Sequence, residues 1–227
     1  MSEATTRAPL FAERLTWTFA PDVYATSLPL IAMSGICLAL QWWIAGALLF
    51  ALALFTAFFF RNPDREIPAD ETTVVAPADG RVIDSGEIET ERGTKALRIG
   101  IFLSIFDVHV NRAPVAGRVL AKTRGGEKYL AAFNKAAERQ NVRCAMTLET
   151  AEGALVDVVQ ITGLVARRIV CQPAVGEWLV RGVRYGMIRF GSRTDVVLPA
   201  GSQARVAVGD RVKGGSSVIA LLPGGAA

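Results

Sequence analysis

Histidine is almost missing from this chain. His109 is the one imidazole in 227 residues, which excludes a metal site built on several histidines. Cysteine is scarce as well. Cys37, Cys144 and Cys171 share no Cys-x-x-Cys spacing, so a zinc cluster or a disulfide framework is disfavoured and a reducing compartment is favoured. No P-loop, no G-x-G-x-x-G and no G-x-S-x-G motif occurs, which removes the usual signatures of nucleotide binding and of α/β-hydrolases. Charge is absent from a whole stretch, the 38 residues between Asp22 and Arg61. Hydrophobic residues make up 51% of the chain, against 25 Lys+Arg and 21 Asp+Glu. Such a chain is too apolar to be disordered, and its length allows one catalytic domain plus a membrane segment.

The uncharged stretch holds two apolar runs, Leu28 to Leu40 and Ile44 to Phe60, separated by Gln41-Trp42-Trp43. As one straight helix it would measure roughly 57 Å, while a bilayer core is about 30 Å thick. Two short helices, about 23–41 and 44–60, fit better as a hairpin, with the tryptophans at an interface. Arg7 and Arg14 before it, and Arg61 and Arg65 after it, predict that both ends stay cytoplasmic. Each run is short for an upright span, so monotopic insertion stays open, as does a buried hairpin in a soluble core. The apolar stretch starts late and runs long for a signal peptide.

From residue 61 onward the texture changes. Thr73–Ala76, Leu97–Leu103, Val156–Thr162 and Asp195–Pro199 read as short strands. Asp79-Gly80, Gly125-Gly126, Gly209-Asp210 and Gly214-Gly215 mark turns between them. Only Tyr129 to Arg139 has helical character. The expected fold is mostly β (α+β). Ala76–Val82 and Val206–Ala220 look like the hairpins of barrel-sandwich hybrid folds, a likeness that bears on fold and not on function. Residues 1–60 form the expected membrane-associating segment and 61–227 the catalytic domain.

Gly191-Ser192 lies between two strand-like runs. Glycine removes the side chain that would hinder approach to its own carbonyl, and a strained turn there would let the Ser192 hydroxyl attack it. An ordinary β-turn is the plain alternative. A serine hydrolase pairing His109 with Ser104, Ser192 or Ser202 is another.

Five stretches together resemble the short bacterial and archaeal type of phosphatidylserine decarboxylase proenzyme. They are Phe59–Arg65 (FFRNPDR), Ala76–Val82 (APADGRV), Ile101–Pro114 (IFLSIFDVHVNRAP), Gln160–Val170 (QITGLVARRIV) and Gly186–Asp195 (GMIRFGSRTD), in family order. The resemblance implies self-cleavage at Gly191-Ser192 through an ester, giving a β chain of residues 1–191 and an α chain of residues 192–227 that stay associated as a heterodimer. It implies that Ser192 becomes a pyruvoyl group, which serves as the electron sink in decarboxylation, with no pyridoxal phosphate and no metal. It assigns proton handling to Asp79 and His109, the latter suited by an ordinary pKa of about 6.5. A plain turn residue and a hydrogen-bonded structural histidine are the competing readings of those two. Long-form members carry His-x-x-His, whereas this chain has His109-Val-Asn-Arg112. Either His109 performs both proton tasks or Arg112 supplies fixed positive charge, since arginine cannot act as a base.

Arg112, Arg167 and Arg168, together with Arg61 and Arg65, are candidates for headgroup contact, because guanidinium forks match phosphate; surface or inter-strand ion pairs are the alternative. Lys213 sits in a hairpin of lipoyl type but lacks the carrier-domain context, and Cys144 and Cys171 read as small buried residues. The expected activity is conversion of phosphatidylserine to phosphatidylethanolamine and CO2 at the inner membrane, on its cytoplasmic side. The partners implied are the phospholipid, the membrane and the paired chains, with a higher homo-oligomer left open and no nucleic acid. Archaetidylserine is the rival substrate. A membrane-tethered adaptor module, which would remain one intact chain, is the rival class.

Overall fold

The structure is a computed structural model of the chain, and it describes residues 10, 22–90, 93–132, 134, 136–164, 168–188 and 191–224. The chain divides into two units, residues 15–64 and residues 1–14 with 65–227.

The smaller unit is a helical pair, α1 (Asp22–Ala39) and α2 (Trp43–Phe59). Gln41, at φ 62°, turns the chain between the helices. The pair closes through a buried Ser34 hydroxyl that donates to the Gly46 carbonyl at 2.8 Å. Gly46 is small for a reason, since a Cβ there would lie 2.6 Å from Leu38. The outer faces leave Leu28, Ile31, Trp42, Trp43, Ile44 and Leu48 exposed. At ~1.5 Å per residue both helices fall short of a bilayer core of about 30 Å, and no helix among the described residues is long and apolar enough to cross a membrane. Arg61 follows the pair, its guanidinium 3.9 Å above the Phe58 ring.

The larger unit is mostly β. In chain order it contains β1 (Thr73–Val75), β2 (Gly80–Glu89), β3 (Lys95–Leu103), β4 (Val110–Arg112), β5 (Gly117–Gly125), α3 (Ala137–Gln140), β6 (Arg143–Glu149), β7 (Leu155–Ile161), β8 (Ile169–Cys171), β9 (Trp178–Leu179), β10 (Arg184–Ile188), β11 (Ser192–Pro199), β12 (Gln203–Ala204), β13 (Arg211–Val212) and β14 (Val218–Leu221). Eight strands form one sheet in the order β13-β2-β3-β11-β7-β6-β5-β9, and β4-β10-β8 and β1-β14-β12 form two smaller ones. Valine- and isoleucine-rich alternation drives this. In β6 every second residue is buried, Cys144, Met146 and Leu148, and these join Ile99, Val158 and Leu198 in one core. Buried Gln160 ties the large sheet to β4 by donating to Asn111 at 2.7 Å. All three cysteines are free and buried.

The two hairpin-like segments lie against each other. Val212 pairs with Gly80, Val82 donates to the Asp210 carbonyl, and Gly215 donates to the Ala76 carbonyl. The helix expected over Tyr129 to Arg139 is reduced to α3. Asparagines explain why. Asn134 accepts from the Ala136 amide at 2.9 Å, and Asn141 engages both the amide and the carbonyl of Leu130. These side-chain bonds compete with helical ones and shape an irregular loop instead.

Candidate active site

The sheet register gathers the candidate residues at one end. Arg81 of β2, Phe102 of β3, Arg193 of β11 and Ile161 of β7 lie in one cross-strand row. One step beyond it are Gly80, Leu103, Ser192 and Thr162, with Leu103 the direct partner of Ser192. Asp79 therefore precedes the start of β2, His109 follows the end of β3, and the Gly191-Ser192 bond opens β11. Gly80 and Ser192 are two strand spacings apart, about 10 Å.

Ser192 is completely buried, and its hydroxyl has no hydrogen-bond partner among the described residues. Burying such a group without compensation is unfavourable, and the Thr194 hydroxyl on the same face of the strand is in the same position among the described residues. Gly191 has φ 54°, in the left-handed region, and the space where its Cβ would sit is open. Glycine is needed there for torsion and not for room. Its carbonyl oxygen instead presses on another glycine, Gly163, whose added Cβ would sit 1.9 Å from it.

His109 is fully buried, on the connection from β3 to β4. Its Nδ1 lies 2.9 Å from the Asp107 carbonyl oxygen, which can only accept, so Nδ1 carries the hydrogen. On a neutral ring with that tautomer the lone pair would lie on Nε2, the form a general base requires. The loop is pinned, because the Asp107 carboxylate accepts from both the amide and the hydroxyl of Ser104. The His109 carbonyl accepts from Ile188 at 3.3 Å, three residues ahead of Gly191.

Asp79 is held on both oxygens. Arg65 donates to one at 2.7 Å, and the Gly214 amide donates to the other at 2.8 Å. Arg65 is thus an ion-pair partner of Asp79. Arg112 is buried, donates to the Gly182 carbonyl at 3.2 Å and runs beneath Gly215. Arg168 is exposed and lines a cavity of about 370 Å³ together with Arg124, Arg143, Cys144 and Cys171. Val142, also in that wall, is bonded to Thr162 at the end of β7. Arg7, Arg14 and Arg167 lie outside the described residues. Lys213 is exposed at a turn, its amide donating to Ser217.

The sequence reading missed a charged cluster on the face of β11 opposite Ser192. Arg193 bonds Asp195 at 2.5 Å and lies 3.6 Å from Asp84, and Arg98 bridges Asp84 and Glu138. Burial pushes the Asp195 carboxyl up to about 6, while Arg193 pulls it the other way. Gly100 makes room for the pair, since a Cβ there would lie 2.9 Å from Arg193. The signal was the alternation Ser-Arg-Thr-Asp, which puts both charges on one face of a strand.

Known proteins resemble the chain over most of its length. A sequence model of the phosphatidylserine decarboxylase family matches residues 52–220. A phosphatidylserine decarboxylase proenzyme from Geotalea uraniireducens (strain Rf4) is 43% identical over 206 residues, covering 88% of this chain and 97% of its own. The proenzyme of the same name from Symbiobacterium thermophilum is 49% identical over 196 residues, covering 86% and 91%. That from Geobacter metallireducens is 49% identical over 174 residues, covering 76% and 80%. With the match extending over both the buried Ser192 and the His109 loop, the chain belongs to the phosphatidylserine decarboxylase family of carboxy-lyases.

Proposed function

We propose that this chain is a self-cleaving proenzyme whose mature form decarboxylates phosphatidylserine to phosphatidylethanolamine. The observation that carries the reading is the Gly191-Ser192 bond itself, a left-handed glycine followed by a fully buried hydroxyl that bonds to nothing described. The Ser192 oxygen attacks the Gly191 carbonyl carbon, the peptide C–N bond breaks, and the freed nitrogen takes up a proton. The resulting ester loses its Cα proton, the Cβ–O bond breaks, and residues 1–191 leave as a carboxylate. The dehydroalanine at position 192 rearranges, adds one water and releases ammonia, leaving a pyruvoyl group. His109, through Nε2, takes the hydroxyl proton, and Asp79 with Arg65 holds the neighbouring turn. The pocket fits that group, because its oxygen-bearing carbon arises where Ser192 is already enclosed. A pyruvoyl carbonyl supplies the electron sink that amino-acid decarboxylation needs.

The exposed apolar helical pair lodges in one leaflet with its tryptophans at headgroup level, keeping the catalytic domain on the cytoplasmic side of the cell membrane. Arg168 and Arg124, in a cavity wall that contains no carboxylate among the described residues, take the phosphodiester of the headgroup. The test is the intact mass of purified protein. Two fragments split between Gly191 and Ser192, the smaller without a free amino terminus, support the reading. One chain of full mass, or an unmodified amino-terminal serine on the smaller fragment, overturns it.

A further inference from the structure

We propose that Asn141, Thr162 and Gly163 form a clamp that positions the Gly191 carbonyl for attack by Ser192. This rests on the reading that the chain cuts itself at that bond. The two glycines that meet here are glycine for opposite reasons. Gly191 needs its left-handed φ of 54° and has open space around the missing Cβ. Gly163 has no such torsion, yet a Cβ on it would lie 1.9 Å from the Gly191 oxygen and 2.9 Å from its carbon. Close approach to the scissile carbonyl is therefore what position 163 must allow. An alanine there would displace that carbonyl by more than about 1 Å, given normal non-bonded separations.

The segment that presses on the carbonyl is itself fixed. Thr162 is fully buried, and both its amide and its hydroxyl donate to the Val142 carbonyl, at 3.0 and 2.9 Å. The Thr162 carbonyl accepts from Asn141 Nδ2 at 2.7 Å. Asn141, also fully buried, is locked in turn by two bonds of 2.8 Å to the backbone of Leu130. Gly163 thus has little freedom to retreat. Holding the carbonyl oxygen still fixes the face that the carbonyl carbon turns to the Ser192 hydroxyl. A displacement of about 1 Å in such a geometry can lower a rate 10²-fold.

A clamp on a scissile bond has a distinguishing property. After cleavage Gly191 is a free chain end and needs no holding, so the clamp matters for processing and not for turnover. The experiment follows full-length Gly163→Ala by intact mass from the moment of synthesis. The molecules that do cleave are then assayed for decarboxylation per pyruvoyl group, counted with a carbonyl reagent. The expected result is cleavage slowed about 10- to 100-fold with turnover per pyruvoyl unchanged. Thr162→Val and Thr162→Ser provide the second arm, one removing the hydroxyl and the other keeping it. Valine should slow cleavage and serine should not, and this pair decides the matter if Gly163→Ala fails to fold. Wild-type cleavage rates in Gly163→Ala and Thr162→Val would overturn the clamp, as would a parallel fall in cleavage and turnover, which signals general distortion. A wild-type chain that never cuts between Gly191 and Ser192 would overturn instead the reading beneath it.

Discussion

The Ser192 hydroxyl should make the precursor less stable than it would be without it. The oxygen is fully enclosed and has no hydrogen-bond partner among the described residues. Leaving a buried donor and acceptor unsatisfied costs about 1–3 kcal/mol. Ser192→Ala removes that term and leaves a void of a single atom, which takes back less than about 1 kcal/mol. The net expectation is a gain of about 1–2 kcal/mol, or a few degrees in Tm for a domain of this size. The comparison has to be made between uncleaved chains. His109→Ala and His109→Ala/Ser192→Ala, each confirmed as one chain by mass, would be unfolded in urea and their midpoints compared. Thr194→Val is a parallel case on the same face of β11, for its hydroxyl too is buried without a partner among the described residues. A Ser192→Ala chain that is less stable than its parent would refute the reasoning, because the hydroxyl must then be satisfied in the precursor.

His109→Ala should accumulate uncleaved chain over hours, with a rate loss of about 10²–10⁴-fold expected for one acid–base group; near-normal cleavage and turnover in a radiolabel assay would return His109 to a structural role. Hydroxylamine should inactivate the mature protein by modifying position 192, and added pyridoxal phosphate should change nothing; peptide mapping that finds a modified lysine would contradict this. Removing residues 1–58 should abolish flotation with vesicles while leaving cleavage intact, since the cleavage-site residues all lie beyond Phe59. The folded-state pKa of Asp195, about 6, lies above the ordinary 3.8. Its contribution to stability is therefore fully present below pH 3.8 and is lost as pH rises through about 6. Urea midpoints of the Ser192→Ala chain should fall between about pH 4 and 6 by this contribution, and Asp195→Asn should flatten that fall.

Much of the scaffold was legible because it is written locally. A strand buried on alternate residues, as β6 is, declares itself by period, and the Gly-Asp turns bracket their strands with residues of special torsion. Both helices, Asp22–Ala39 and Trp43–Phe59, fall in the long gap in charge. Gly191-Ser192 was singled out by the family resemblance around it, because a glycine before a serine between strands reads just as readily as an ordinary turn. What escaped the sequence depends on register. Nothing near Gly163 in the chain says that it will meet a carbonyl 28 residues away; only the pairing of β7 with β11 brings them together. The same holds for Asp84, Arg98 and Arg193, which are ordinary charges until β2, β3 and β11 align them. Tyr129–Arg139 failed for another reason, because apolar spacing cannot register that two asparagines will bond to the backbone and compete with a helix.

The proposed cut at Gly191-Ser192 would sever the chain near its middle sheet at a place that leaves the fold intact. Ser192 is the first residue of β11, so the Gly191-Ser192 bond lies just outside the ladder, and its loss breaks none of the pairs from Ser192 to Pro199 with β3. The downstream piece is not peripheral. β11 is flanked by β3 and β7, β13 pairs with β2, and β14 pairs with β1, all of them upstream strands. The buried cluster adds to this, since Arg193 downstream faces Asp84 upstream. Separating the two pieces would strip both flanks of a central strand and open the core around Val196 and Leu198. Cutting, by contrast, frees Gly191 from the left-handed turn and from its contact with Gly163. The strand pairs that hold the sheet and the contact between Gly163 and the Gly191 carbonyl thus lie on different sides of one peptide link, and under the proposed cleavage this division would let a precursor be stable as a fold and reactive at a single bond.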